Sequence, residues 1–189
     1  IKQEDLELSQ KFDPHTSVEN LLKEKSDFID ELLSSAWQNF VQDYAEKLCL
    51  VAVGGYGRRE LFPHSDIDFV IILNDRDDSQ YQEKLTRFTT FLWDIGLKPG
   101  HSVGTVEEFV VLAINDQTIM TNIMENRLIA GNAVLYAKLR QEITPDRIWP
   151  SDKFFAAKMW EQLLRHAKFH DTAYNLEPNI KDGPGGLRD

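Results

Sequence analysis

The stretch Val51-Ala-Val-Gly-Gly-Tyr-Gly-Arg-Arg-Glu-Leu-Phe-Pro-His-Ser-Asp-Ile-Asp-Phe-Val-Ile-Ile-Leu73 decides the fold. Cys49 to Val53 and Ile67 to Leu73 are short apolar runs rich in β-branched residues, the pattern of strands buried on both faces. A glycine turn separates them. Because strand side chains alternate, Asp66 and Asp68 at the mouth of the second run are expected on one face. Two carboxylates so placed repel and push one pKa upward. A divalent cation removes that cost, and Mg²⁺ takes one or two carboxylates with waters and substrate phosphates as its other ligands. Gly54 and Gly55 carry no side chain, so their backbone N–H groups can approach a phosphate closely. The pattern points to a metal-bound nucleoside triphosphate.

Other glycine-loop chemistries fail on the same residues. A dinucleotide fingerprint beginning at Gly55 needs a third glycine where Glu60 stands, and a P-loop needs Gly-Lys-Ser/Thr, which is absent. A hairpin with an acidic surface end leaves the coincidence of glycines and acids unexplained.

The bulk numbers narrow the function further. The 189 residues carry a formal net charge of −10, which opposes a general affinity for nucleic acid, since that rests on Lys and Arg neutralising phosphates. A single cysteine, Cys49, excludes a disulfide framework and a cysteine-based zinc site, and points to a reducing compartment. No apolar run reaches the ~20 residues that cross a bilayer, and no signal-peptide pattern opens the chain. The expected setting is cytoplasmic, without a membrane. Ile1 at the start and a Gly/Pro-rich motif at the end suggest a piece of a longer protein.

Along the chain, residues 1–16 read as an irregular segment, 17–145 as one domain, and 146–189 as the start of a following helical domain. Apolar residues from Leu21 to Tyr44 recur every three or four positions, so a long amphipathic helix is expected over 17–47. Asn74 to Asp78 is a solvated acidic loop, lacking the glycine and distal glutamate of a calcium site. Ser79 with Gln82 marks a helix start, and the helix is expected to run to about Trp93. A third strand is expected over Asp94 to Pro99, broken by Gly100. Thr105 with Glu108 forms a capping box for a helix to about Asn115. A further helix is expected from Thr118 to Ala130, ended by Gly131, with helical character again over 132–141. Past Pro145 and Pro150, a helix over 151–170 should turn Phe154, Phe155, Met159, Trp160 and Leu163 inward. His170-Asp171 is the dipeptide of HD phosphohydrolases, but without further ligands it reads as coincidence. His64 and His101 lie nearer the paired acids, as phosphate contacts or structural hydrogen bonds.

A strand, Gly-Gly, a short helical turn over Tyr56 to Leu61 stopped by Pro63, then Asp-x-Asp on the next strand resembles the DNA polymerase beta nucleotidyltransferase superfamily. Val51 to Asp68, Trp93-Asp-Ile-Gly to Val103, and Tyr174 to Asp189 together resemble the bacterial PII uridylyltransferase/uridylyl-removing enzymes. The resemblance implies an α+β nucleotidyltransferase fold, a small mixed sheet packed by helices. It implies transfer of UMP from UTP to a tyrosine of the PII signalling protein, with two Mg²⁺ ions. Asp66, Asp68 and a third acid, Asp94, would be catalytic and hold the metals; Gly54, Gly55, Arg58 and Ser65 would bind the triphosphate. It further implies HD and ACT domains outside these residues. Arg59 departs from the pattern, standing where many relatives have glycine. A glutamine synthetase adenylyltransferase, a nucleotide-sensing module and a structural domain are the competing readings.

Overall fold

In the computed structural model, residues 17–62, 65–76, 81–170, 179–180 and 183–186 are described. The chain divides into a unit ending at Thr144 and a second beginning at Pro145. The first unit is the expected α+β fold. Its mixed sheet has the order β3-β2-β1-β4, made of β1 (Leu48–Val53), β2 (Ile67–Leu73), β3 (Pro99–Thr105) and β4 (Asn126–Gly131). The two apolar runs are the two central strands, as their composition requires, with Asp68 as the one charged residue in them. β1 runs antiparallel to both β2 and β4, whereas β2 and β3 are parallel.

Helix α1 (Val18–Val41) buries Leu22, Ser26, Ile29, Leu33, Ala36, Trp37 and Val41, one stripe at three- and four-residue spacing. The hydroxyl of buried Ser26 donates to the carbonyl of Leu22 one turn back, so burial leaves no orphan there. This stripe packs with Leu48, Leu50, Ala52, Phe69 and Ile71 on one face of the sheet. Helix α3 (Gln82–Asp94) completes that layer, with Phe88 edge-on to Trp37 at 5.6 Å between ring centroids, a geometry that aromatic quadrupoles favour. The alternate residues Cys49, Val51, Val70 and Ile72 are buried on the opposite face. Helices α4 (Val106–Asn115), α5 (Gln117–Met124) and α6 (Ala133–Glu142) follow β3 and flank β4. α4 opens on the Thr105/Glu108 capping box, both halves formed, and α6 opens on an Asn132 cap.

Four expectations are overturned. The third strand does not span 94–99: α3 continues through Asp94 and stops where Gly96 adopts φ +87°, a left-handed cap, with Leu97 N–H donating to Leu92 O. The strand begins at Pro99 and carries Gly100 inside it. The helix expected over 118–130 ends at Met124, because Leu128 to Ala130 pair with β1 and Gly131 closes a strand rather than a helix. The turn after β1 becomes helical at Gly54, as α2 (Gly54–Gly57), rather than at Tyr56. In the second unit, α7 (Pro145–Ile148) precedes α8 (Ser151–Ala167). Along α8, Phe155, Met159, Trp160 and Leu163 are exposed rather than inward. The Ser79 cap, Pro63, His64, Asp171 and most of the motif over 174–189 lie outside the described residues. Among those described, no helix is long and apolar enough to cross a membrane.

Candidate functional site

The sheet topology gathers the candidate residues at one end. β1 and β2 run antiparallel with Ala52 opposite Phe69, so the end of β1 and the turn after it meet the start of β2. β3 runs parallel to β2, so its start lies at the same end, with Gly100 opposite Asp68. The close of β1, the opening of β2 and the opening of β3 converge there, while Val53 also meets Asn126 at the start of β4.

Asp66 lies one residue before β2 and is exposed, and Asp68 is the second residue of β2 and half-buried. Burial pushes the Asp68 carboxyl above its usual range, and the charge of Asp66 pushes it further. The repulsion expected from the paired acids is therefore present, with desolvation the larger cause. A Cβ on Gly100 would sit 2.2 Å from Asp68 Oδ1. The carboxylate thus occupies the space that any side chain at 100 would fill.

The donor set fits Mg²⁺: a desolvated carboxylate beside a second one is relieved by a hard cation needing one or two protein oxygens. Among the described residues no three His, Cys, Asp or Glu side chains group closely enough to hold an ion. Asp94 is exposed at the end of α3, not on a strand beside Asp68.

Gly54 has φ +59°, a conformation that L side chains rarely adopt. A Cβ there would meet Asn122 Oδ1 at 3.0 Å. Gly57 is confined differently, since its Cβ would lie 2.0 Å from the carbonyl oxygen of Glu125. The glycines thus let the turn press against the chain entering β4, and the backbone N–H groups of a first helical turn remain available to an anion.

Arg58 follows the turn. Its Nε donates to Glu60 Oε2 at 2.7 Å and its Nη1 to Glu125. These carboxylates raise its pKa, the Glu60 hydrogen bond most of all. Its Nη2, not engaged by either acid, lies 3.9 Å from where a Cβ on Gly55 would stand. Ser65 is exposed beside Asp66, its N–H donating to Phe62 O at 3.0 Å. His101 is stacked on Phe69 at 5.8 Å between centroids.

A cleft of about 130 Å³ opens at this end, lined by Asp68, Gly100, Ser102, Phe109 and Asn122 among others. A larger groove of about 430 Å³ runs along β3 and α4 past Val103, Val111 and Leu112. The groove is bigger and is lined by Arg76, Glu107 and Glu108, but the smaller cleft is the one lined by a member of the acid pair, Asp68, and is the candidate site. Asn122 was not foreseen: its amide has no hydrogen-bond partner among the described residues and stands between Gly54 and the cleft. Tyr56, Asp30 and Arg127, joined behind the turn, were also missed. A large aromatic flanked by glycines was the one available signal.

Residues 5–102, which contain the turn, the paired acids and Gly100, match the model of the DUF294 nucleotidyltransferase family. Residues 153–189 match the model of GlnD PII-uridylyltransferase. Over all 189 residues the chain is 50% identical to a protein of Methylococcus capsulatus and 46% identical to one of Pseudomonas putida. Over 182 residues, 96% of the chain, it is 47% identical to one of Nitrosococcus oceani. Each of the three is named a bifunctional uridylyltransferase/uridylyl-removing enzyme, and the chain spans 20% to 22% of their lengths.

Proposed function

The chain belongs to the DUF294 nucleotidyltransferase family, and from that premise we propose that it transfers UMP from UTP to a tyrosine hydroxyl of the PII signalling protein. The acceptor oxygen bonds to the α-phosphorus, the bond from that phosphorus to the β-bridging oxygen breaks, pyrophosphate leaves and the hydroxyl proton passes to solvent. The observation that carries the reading is the pair Asp66 and Asp68 beside an open glycine turn at one end of the sheet. Uridylyl specificity and PII rest on the names and on the resemblance.

In this reading Asp66 and Asp68 would hold magnesium. Bound there, the cation supplies charge stabilisation at the phosphoryl oxygens. The backbone N–H groups of Gly54 and Gly55 orient the triphosphate, and Ser65 adds a hydroxyl donor at the mouth. Arg58 supplies positive charge toward the leaving pyrophosphate, a group able to bind phosphate bidentately. Gly100 leaves the Asp68 carboxylate room to face the cleft. A cytoplasmic setting goes with this activity, since nucleoside triphosphates and PII meet there.

Labelled UTP or ATP supplied with Mg²⁺ and PII tests the reading in the protein carrying this chain. UMP on PII from UTP alone is expected. Label from ATP alone would favour an adenylyltransferase, and saturable nucleotide binding without transfer would favour a sensing module.

A further inference from the structure

Three of the four residues of α2 are glycine, and glycine loses more conformational freedom on folding than any other residue. A cradle so composed needs something outside itself to hold its shape. The one large side chain it has, Tyr56, is 1% exposed, and two groups converge on it, the Asp30 carboxylate and the Arg127 guanidinium. Its hydroxyl donates to Asp30 Oδ1 at 2.6 Å. Arg127 donates from Nη2 to that same oxygen at 3.0 Å and from Nη1 to Asp30 Oδ2. Nη2 also reaches the backbone oxygen of Tyr56 at 3.3 Å, and the guanidinium lies 5.3 Å from the centre of the Tyr56 ring.

Asp30 belongs to α1 and Arg127 to β4, 97 residues apart in sequence. Both are only about one-fifth exposed, 18% and 20% at the side chain, so their pairing is less screened than a surface ion pair. A bidentate guanidinium on a carboxylate fixes geometry as well as charge. The Asp30–Arg127 pair therefore ties a helix, a strand and the glycine turn together, Asp30 at the hydroxyl of Tyr56 and Arg127 at its backbone oxygen.

We propose that Asp30 and Arg127 are positioning residues that hold the glycine turn in its anion-binding form, setting affinity for the triphosphate without touching it. The proposal rests on the nucleotidyltransferase reading and deepens it. Pre-organisation acts on binding, because a turn already ordered has less freedom to lose when the ligand arrives. Arg127→Lys keeps the charge but cannot span both Asp30 oxygens and the Tyr56 carbonyl at once. Tyr56→Phe keeps the ring and removes only the hydroxyl.

The experiment measures three quantities in the protein carrying this chain: KM and kcat for UTP with Mg²⁺, tripolyphosphate binding by calorimetry, and hydrogen exchange at the amides of residues 55–58. Arg127→Lys and Asp30→Asn are each expected to raise KM and the tripolyphosphate dissociation constant about tenfold, with kcat within about twofold. Exchange at 55–58 should quicken while β2 keeps its protection, which shows the fold intact. The double variant should be little worse than either single one, as one unit would behave, and Tyr56→Phe should show a smaller effect of the same kind. Unchanged KM, binding and exchange in folded Arg127→Lys, where the unmodified protein binds UTP, overturns the positioning role alone. An unmodified protein that binds neither UTP nor tripolyphosphate overturns the nucleotidyltransferase reading and this inference with it.

Discussion

Replacing Gly100 by alanine perturbs the paired acids without altering either one. Gly100 and Asp68 are in register on adjacent parallel strands, and the added methyl would stand 2.2 Å from Asp68 Oδ1 and 3.4 Å from Cγ. Real Cβ contacts essentially never fall under 3.0 Å. The carboxylate oxygen must therefore withdraw by about 0.8 Å, by rotating about χ1 or χ2, since the ladder holds the backbone. Leaving a preferred rotamer costs on the order of 0.5–1.5 kcal/mol. In a protein of this size a cost of about 1 kcal/mol lowers Tm by about 2–4 °C. Misplacement of a reacting group by about 1 Å costs roughly a hundredfold in rate. Gly100→Ala is thus expected to lose about two orders of magnitude in kcat for pyrophosphate release while its Tm falls by only a few degrees. Stopped-time assays with UTP, Mg²⁺ and PII, paired with calorimetry, give both numbers. A folded Gly100→Ala protein turning over within about threefold of the unmodified one would refute the placement of Asp68 at the reacting centre.

A carboxyl whose pKa rises on folding, as that of Asp68 does, supports the fold below its unfolded pKa and withdraws that support as pH rises through the folded value. Asp68→Asn in EDTA should therefore raise Tm at pH 7, with the gain shrinking toward acid, and Mg²⁺ should stabilise the unmodified protein but not the variant; thermal melts across pH decide it, and a lower Tm at pH 7 contradicts it. Arg59 holds φ +64°, a strain of roughly 1–2 kcal/mol, against an exposed pair with Asp27 at 2.6 Å worth about 0.2–1 kcal/mol. Arg59→Gly should lie within about 1 kcal/mol of the unmodified protein in urea denaturation, and Arg59→Ala, which keeps the strain and loses the pair, should be less stable than Arg59→Gly. Asp94 stands exposed at the end of α3, so Asp94→Asn should keep kcat within about fivefold; a loss near a thousandfold would make it the third acid that the resemblance implies.

What the sequence disclosed depended on how local each cause is. β1 and β2 were legible because a buried central strand is apolar along nearly its whole length, and the Thr105/Glu108 box because both partners lie within one turn. β3 was misplaced because an edge strand reading Pro-Gly-His-Ser-Val-Gly-Thr has no periodic face, and because the signal that ends α3, a left-handed Gly96, was read as part of a strand. β4 carries no local strand signal, because Asn126 to Ala130 becomes a strand through pairing with β1, a partner more than seventy residues earlier. The candidate site shows the same division. Its glycines and Asp-x-Asp lie within fifteen positions of one another and could be read directly, but the clamp behind them joins residues 30, 56 and 127.

That division carries a consequence for the chemistry. The acids and glycines alone give charge and open backbone; they do not say that three strand ends and the turn converge, which only the antiparallel β1/β2 and parallel β2/β3 pairings achieve. Antiparallel pairing returns the end of β1 to the start of β2, so a turn after the one faces acids at the start of the other. Parallel pairing then sets Gly100 beside Asp68, leaving open the space a side chain would close. Reversing either strand would send its partner group to the far end of the sheet, about 20 Å away for a strand of six residues. The mixed topology is therefore what turns two common sequence features into one site.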